Sequence, residues 1–141
     1  MQASLEAVRA RIERACVSAG RAPGAAALVA VSKTFPADAV RAAAGCGQRD
    51  FGENYVQEAL AKMVALQDLR RSLVWHLIGP LQSNKTREVA QAFDWVHSVD
   101  RLKIAQRLSE QRPADQPPLQ ICLQVNISGE ASKSGLAPAE V

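Results

Sequence analysis

Apolar and polar residues follow two different periods along this chain, and the alternation between them outlines its elements. From Gln2 to Ala19, Leu5, Val8, Ile12 and Cys16 recur at three- and four-residue steps, with Glu6, Arg9, Glu13 and Arg14 off the stripe. That spacing predicts an amphipathic helix closed by Gly20 and Pro23. Ala27 to Lys33 is a short apolar run with β-branched residues and no helical period, as expected of a strand buried on both faces. Pro36 suits the first position of a helix that turns Val40 and Ala43 inward and stops at Gly45 or Gly47. A brief strand at Asp50 to Gly52 leads to Asn54, which with Gln57 resembles a capping box for a helix bearing Val56, Leu60 and Met63. The alternation continues with a strand at Leu73 to Ile78, a helix at Ser83 to Phe93 and a strand at Trp95 to Val99. A helix at Arg101 to Gln111, capped by Asp100, and a strand at Leu119 to Ile127 complete it.

About five strands alternate with helices and no hairpin signal intervenes, so the predicted class is α/β with parallel strands and right-handed crossovers. In the last strand, Leu119, Ile121, Leu123, Val125 and Ile127 share one face, while Gln120, Cys122, Gln124 and Asn126 share the other. A polar inner face suits a barrel whose interior opens into a site at the carboxyl ends of the strands. A closed eight-stranded barrel takes ~250 residues, and this chain has 141. The expectation is a partial (β/α)8 TIM-type barrel, residues 1–141 forming a single incomplete domain.

Composition narrows the function. With 48% hydrophobic and 22% charged residues the chain reads as one globular domain, and a net charge of +3 comes from scattered basic residues. Neither a basic block nor, at 4% aromatic residues, a base-stacking platform is present, which argues against a nucleic-acid partner. Small anions remain suitable ligands. The longest apolar run, Ala25 to Val31, falls far short of a membrane span, and MQASLEAVRA lacks a signal pattern, so a cytoplasmic protein is expected. Cys16, Cys46 and Cys122 are odd in number and widely spaced, which predicts buried reduced thiols; with His76 and His97 they offer no metal-ligand spacing.

Lys33 is the sharpest candidate, a lysine at the carboxyl end of an apolar strand. Desolvation there would favour the neutral amine, ready to attack an aldehyde and form a Schiff base. The plainer alternative is a strand-end lysine reaching solvent. Asn54 could contact a ligand or cap a helix. His76 shares a strand face with Val74 and Ile78 and could stack on a ring, exchange a proton, or sit as a bonded core histidine. Asn126 could orient a ligand or fix a loop. The segment SGEASKSG, containing Lys133, and the helix start Ser83-Asn-Lys-Thr86 are weaker anion-binding candidates. Gly45-Cys-Gly47 lacks the third glycine of a dinucleotide fingerprint, and no P-loop or nucleophile elbow occurs.

Four segments occur together in order: VAVSKT at 29–34, FGENYVQE at 51–58, WH at 75–76 with IGPLQSNK at 78–85, and VN at 125–126 with SKSG at 132–135. This set resembles the pyridoxal 5′-phosphate homeostasis protein family. The resemblance implies a fold similar to the N-terminal barrel of alanine racemase, with pyridoxal phosphate bound as an internal aldimine on Lys33. It places Asn54 and His76 beside the cofactor ring, with Ile78 and Asn126 lining the pocket. It also implies a role in intracellular vitamin B6 homeostasis without established catalysis, and apo-enzymes that receive the cofactor as partners.

A racemase needs a tyrosine acid/base opposite the lysine. The only tyrosine, Tyr55, starts a helix, so inversion lacks its second base. The family continues for further strand-helix units, which by the resemblance carry the phosphate cradle and an arginine near the pyridine nitrogen. The chain therefore reads as a truncated member whose last strand leaves an edge open to self-association. The alternatives to a cofactor-binding regulator are a racemase-like enzyme and a fragment that no longer binds.

Overall fold

The computed structural model describes all 141 residues. Five helices and five strands alternate: α1 (Gln2–Ser18), β1 (Val29–Val31), α2 (Ala37–Gly45), β2 (Asp50–Glu53), α3 (Val56–Ala65), β3 (Val74–Leu77), α4 (Thr86–Ala92), β4 (Trp95–Val99), α5 (Leu102–Gln111) and β5 (Gln120–Leu123). The strands form one sheet in the order β1-β2-β3-β4-β5, and every pairing is parallel. This is the expected α/β architecture, a partial TIM-type barrel wall.

The two faces of the sheet differ because side chains alternate along each strand. Phe51, Trp75, Leu77 and Val96 face the helices and are fully buried with Val40, Ala59, Val89, Ile104 and Leu108 in one core. Burying a side chain such as Phe51 contributes about 1.5–3 kcal/mol. The opposite face carries Asp50, Gly52, His76, Trp95 and His97 and corresponds to a barrel lumen. It is open, and this corrects the expectation that the first strand is buried on both sides: Val31 is 50% exposed.

Several boundaries also move. β5 ends at Leu123, and Val125 then bridges Leu136 in the following loop instead of continuing the ladder to Ile127. Ile121 and Leu123, on the helix side of β5, stand half exposed. The helix expected from Ser83 begins as a single 3-10 turn, Ser83–Lys85. Two expected caps do not form. Arg101, not Asp100, precedes α5, and α3 starts after Tyr55 with no side-chain cap, since Gln57 donates instead to Glu88 at 2.6 Å. Of the three cysteines, all free, only Cys16 is buried. No helix is long and apolar enough to cross a membrane.

Long-range polar contacts fix the strand ends. Arg112 donates to the carbonyls of Ala90, Phe93 and Pro117, tying α5 to the α4–β4 turn. Arg70 meets both carboxylate oxygens of Asp94, which also accepts the Trp75 amide. Gly79 permits a close crossing of two loops: a Cβ there would collide with the Asn54 carbonyl oxygen.

Candidate functional site

Strand register sorts the candidate residues into rows on the lumen face. Val31 pairs with Gly52, Gly52 with His76 and His76 with Trp95, making one row. Hydrogen bonds from Ser32 N to Gly52 O and from Ile78 N to Glu53 O, both 2.9 Å, carry the ladder past the strand ends. The next row, at the carboxyl edge, is therefore Lys33, Asn54, Ile78 and His97. Asn126 lies outside these rows, beyond the end of β5.

Lys33 projects from a strand end that its neighbours hold in place. Ser32 donates its hydroxyl to Glu53 Oε1 at 2.6 Å, and the Thr34 amide donates to Glu58 Oε1 at 2.6 Å. Between these carboxylates sits the Lys62 ammonium, donating to both Glu53 oxygens, to Glu58 Oε1 and to the Ser32 carbonyl at 2.7–3.0 Å. Glu53 is completely buried and Lys62 nearly so. Hydrogen bonds from Lys62 and Thr34 hold the Glu58 carboxyl below its ordinary range. Thr34 takes a left-handed φ of 66°, ending the strand abruptly after Lys33.

This clamp leaves the two lysines in opposite situations. Lys62 is ion-paired on all sides, whereas Lys33 has no hydrogen-bond partner within the chain and is exposed. Lys33 is therefore not desolvated as expected: on the open lumen face it is exposed. The clamp itself was missed, because a strand residue and a helix residue nine positions apart carry no periodic signal.

Ile78 lies across Gly52; a Cβ on that glycine would come within 3.0 Å of Ile78 Cδ1. The side chains of Asn54 and Ile78 border the same row as Lys33, with the Asn54 amide making no side-chain hydrogen bond. A cavity of about 380 Å³ adjoins Ile78 and is lined by Ser98, Arg101, Gln124 and Lys133 among others. Asn126 is engaged locally: its amide donates to the Glu130 carbonyl at 3.0 Å, and its oxygen accepts from Gly129 N at 3.1 Å. That is the loop-fixing arrangement.

His76 is buried and bonded at both nitrogens, through Nε2 to Asp50 Oδ1 and through Nδ1 to His97 Nε2, each at 3.0 Å. Trp95 stacks on its ring at 5.7 Å between centroids and 13° between planes. Desolvation, then the neighbouring His76, holds the His97 imidazole below its ordinary pKa. No cluster of three or more histidine, cysteine or acidic side chains is placed to hold a metal ion.

Known proteins with related sequences share this frame. The pyridoxal phosphate homeostasis protein of Pseudomonas aeruginosa is 66% identical over 134 residues, covering 95% of this chain and 57% of the relative. That of Escherichia coli is 54% identical over 98% of this chain and 59% of the relative. The chain thus spans about three fifths of the length of these relatives. Among solved structures, PipY of Synechococcus elongatus with pyridoxal phosphate bound superposes with a TM-score of 0.76 at 45% identity, over 90% of this chain and 58% of PipY. A protein of unknown function from Bifidobacterium adolescentis gives 0.86 at 35% identity, over 99% of this chain and 60% of its own length. The resemblance read from FGENYVQE and IGPLQSNK is borne out. Residues 3–141 match the family described as alanine racemase, N-terminal domain, and the chain belongs to that family.

Proposed function

We propose that this chain carries the lysine-bearing part of a pyridoxal phosphate-binding protein that serves vitamin B6 homeostasis in the cytoplasm and does not turn over a substrate. The observation that carries this reading is the Lys33 strand end: an unpaired amine on the lumen row, held between two residues pinned by the Glu53–Lys62–Glu58 clamp. The donor set suits the cofactor, with an amine for its aldehyde, an apolar ledge at Ile78 over Gly52 for its ring, and a free amide at Asn54. The adjoining cavity bears Arg101 and Lys133, each near an acid of its own, Asp100 at 3.6 Å and Glu130 at 4.0 Å.

When bound, pyridoxal phosphate supplies an electrophilic aldehyde and an electron-withdrawing ring. Lys33 supplies the nitrogen that joins the aldehyde carbon, with loss of water. Ile78 would shield one side of the row from water and Asn54 would border the ring, with His76 one row below and Asn126 fixing the loop after β5. The placement of Tyr55 supports binding over racemisation: it is exposed, precedes α3 and has no hydrogen-bond partner through its hydroxyl. Apo-enzymes that need the cofactor are the partners this role implies.

The test is borohydride reduction of the 141-residue chain with pyridoxal phosphate, followed by peptide mass mapping. Label concentrated on Lys33 and abolished by Lys33→Ala supports the reading. Label spread evenly over Lys85, Lys103 and Lys133, with Lys33 no better than these, refutes it. Lys62 is an internal control, expected to remain unlabelled while the fold is intact.

A further inference from the structure

We propose that His97 is a positioning residue of the lumen row, presenting Nδ1 as the hydrogen-bond acceptor for a donor group of the molecule held at Lys33. This inference rests on the cofactor-binding reading above and adds a residue to it.

The direction of the hydrogen bonds follows from charge. The Asp50 carboxylate can only accept, so with both imidazoles uncharged the His76 proton lies on Nε2 and is donated there. His76 Nδ1 is then a lone pair and accepts from His97 Nε2. His97 in turn carries its proton on Nε2 and leaves Nδ1 bare. That nitrogen has no hydrogen-bond partner within the chain, and it is absent from the buried unpaired polar atoms, which are Ser98 Oγ and Gln111 Oε1. It therefore reaches solvent on the lumen side. Desolvation, the larger cause of its lowered pKa, favours the neutral ring, hence an acceptor, at pH 7.

Placement agrees with this chemistry. Register puts His97 in the row of Lys33, Asn54 and Ile78, three strands from the lysine. At about 4.8 Å per strand the two backbones are about 14 Å apart along the sheet, a span that the lysine side chain and a molecule one aromatic ring across can bridge. Trp95 and Asp50 hold the intermediate ring of His76 against rotation, so the acceptor is directed before any ligand arrives.

Two substitutions separate this role from a purely structural one. His97→Gln retains a donor near Nε2 for His76 but removes the lumen acceptor. His97→Asn retains an acceptor near Nδ1 but breaks the link to His76. Pyridoxal phosphate affinity of each chain is measured by absorbance titration, with borohydride mapping of Lys33 in parallel. The expected result is affinity weakened by about 2- to 10-fold in His97→Gln, the effect of one neutral hydrogen bond, and substantially restored in His97→Asn. Affinity that is unchanged in His97→Gln, or lost in His97→Asn alone, overturns the proposal while Lys33 labelling persists. Failure of the unsubstituted chain to label Lys33 overturns the cofactor reading itself, and this inference with it.

Discussion

Replacing Lys62 by methionine tests the clamp behind Lys33 most directly. The substitution retains the aliphatic stem and removes the ammonium, which donates to four acceptors, two of them on a carboxylate with no solvent exposure. Glu53 is left with the Ser32 hydroxyl as its one side-chain donor. Breaking a buried ion pair by removing one partner costs about 3–5 kcal/mol, because the remaining charge stays desolvated. Against a total of about 5–15 kcal/mol for a domain, that is a large fraction. The double substitution Glu53→Gln, Lys62→Met removes both charges and should recover much of the loss. Urea unfolding followed by tryptophan fluorescence reads both, since Trp75 sits in the core and Trp95 on the lumen face. A loss below about 1 kcal/mol in Lys62→Met, or a double variant no more stable than the single one, would refute the view that the clamp is a coupled buried pair. Lys33 labelling adds a second readout: the single variant should label less selectively even under conditions where it remains folded.

Other expectations concern separate parts of the molecule. Gly79→Ala forces a methyl group against the Asn54 backbone and should cost about 1–3 kcal/mol, seen as a lower melting temperature. Arg112→Ala leaves three carbonyls without their charged donor and should cost about 2 kcal/mol or more in urea, with the loss centred on the α5–β4 region in hydrogen exchange. The folded His97 pKa lies below the unfolded value near 6.5, so its contribution to stability is present above that pH. As pH falls through the folded pKa the unfolded chain binds the extra proton more readily and that contribution is lost. Stability measured between pH 7 and 5 should therefore decline, and less steeply in His97→Phe.

The order of elements was legible because each strand and helix has its own period, and β4 was placed at its observed bounds, Trp95–Val99. Lys33 could be singled out because a charge ending an apolar run breaks a local pattern. Other features depend on atoms distant in sequence. The caps assigned to Asn54 and Asp100 followed residue preference, yet the chain leaves each at a backbone geometry that places the helix start one residue later. Apolar alternation over Leu119 to Ile127 fits a long strand, but from Val125 the backbone engages Leu136 instead. His97 drew no attention as a site residue because WVHSV reads like any half-buried strand. Its role in the row follows from the register of β3 against β4, which neither segment encodes alone. The Glu53–Lys62 pair was invisible for the same reason.

The sequential strand order also bears on how the sheet assembles. Every strand pairs with the one before it in the chain, and paired residues such as Val29 with Asp50 or Trp95 with Gln120 are about 20–25 positions apart. Among these five strands no pairing waits for a distant segment, so each strand-helix unit can dock onto an edge already in place as soon as it leaves the ribosome. Such short loop closures favour rapid, stepwise formation over a late search among remote strands. The growing edge is also the most adhesive surface of each intermediate, which makes the pace of synthesis relative to docking the variable that determines how long that edge is left bare.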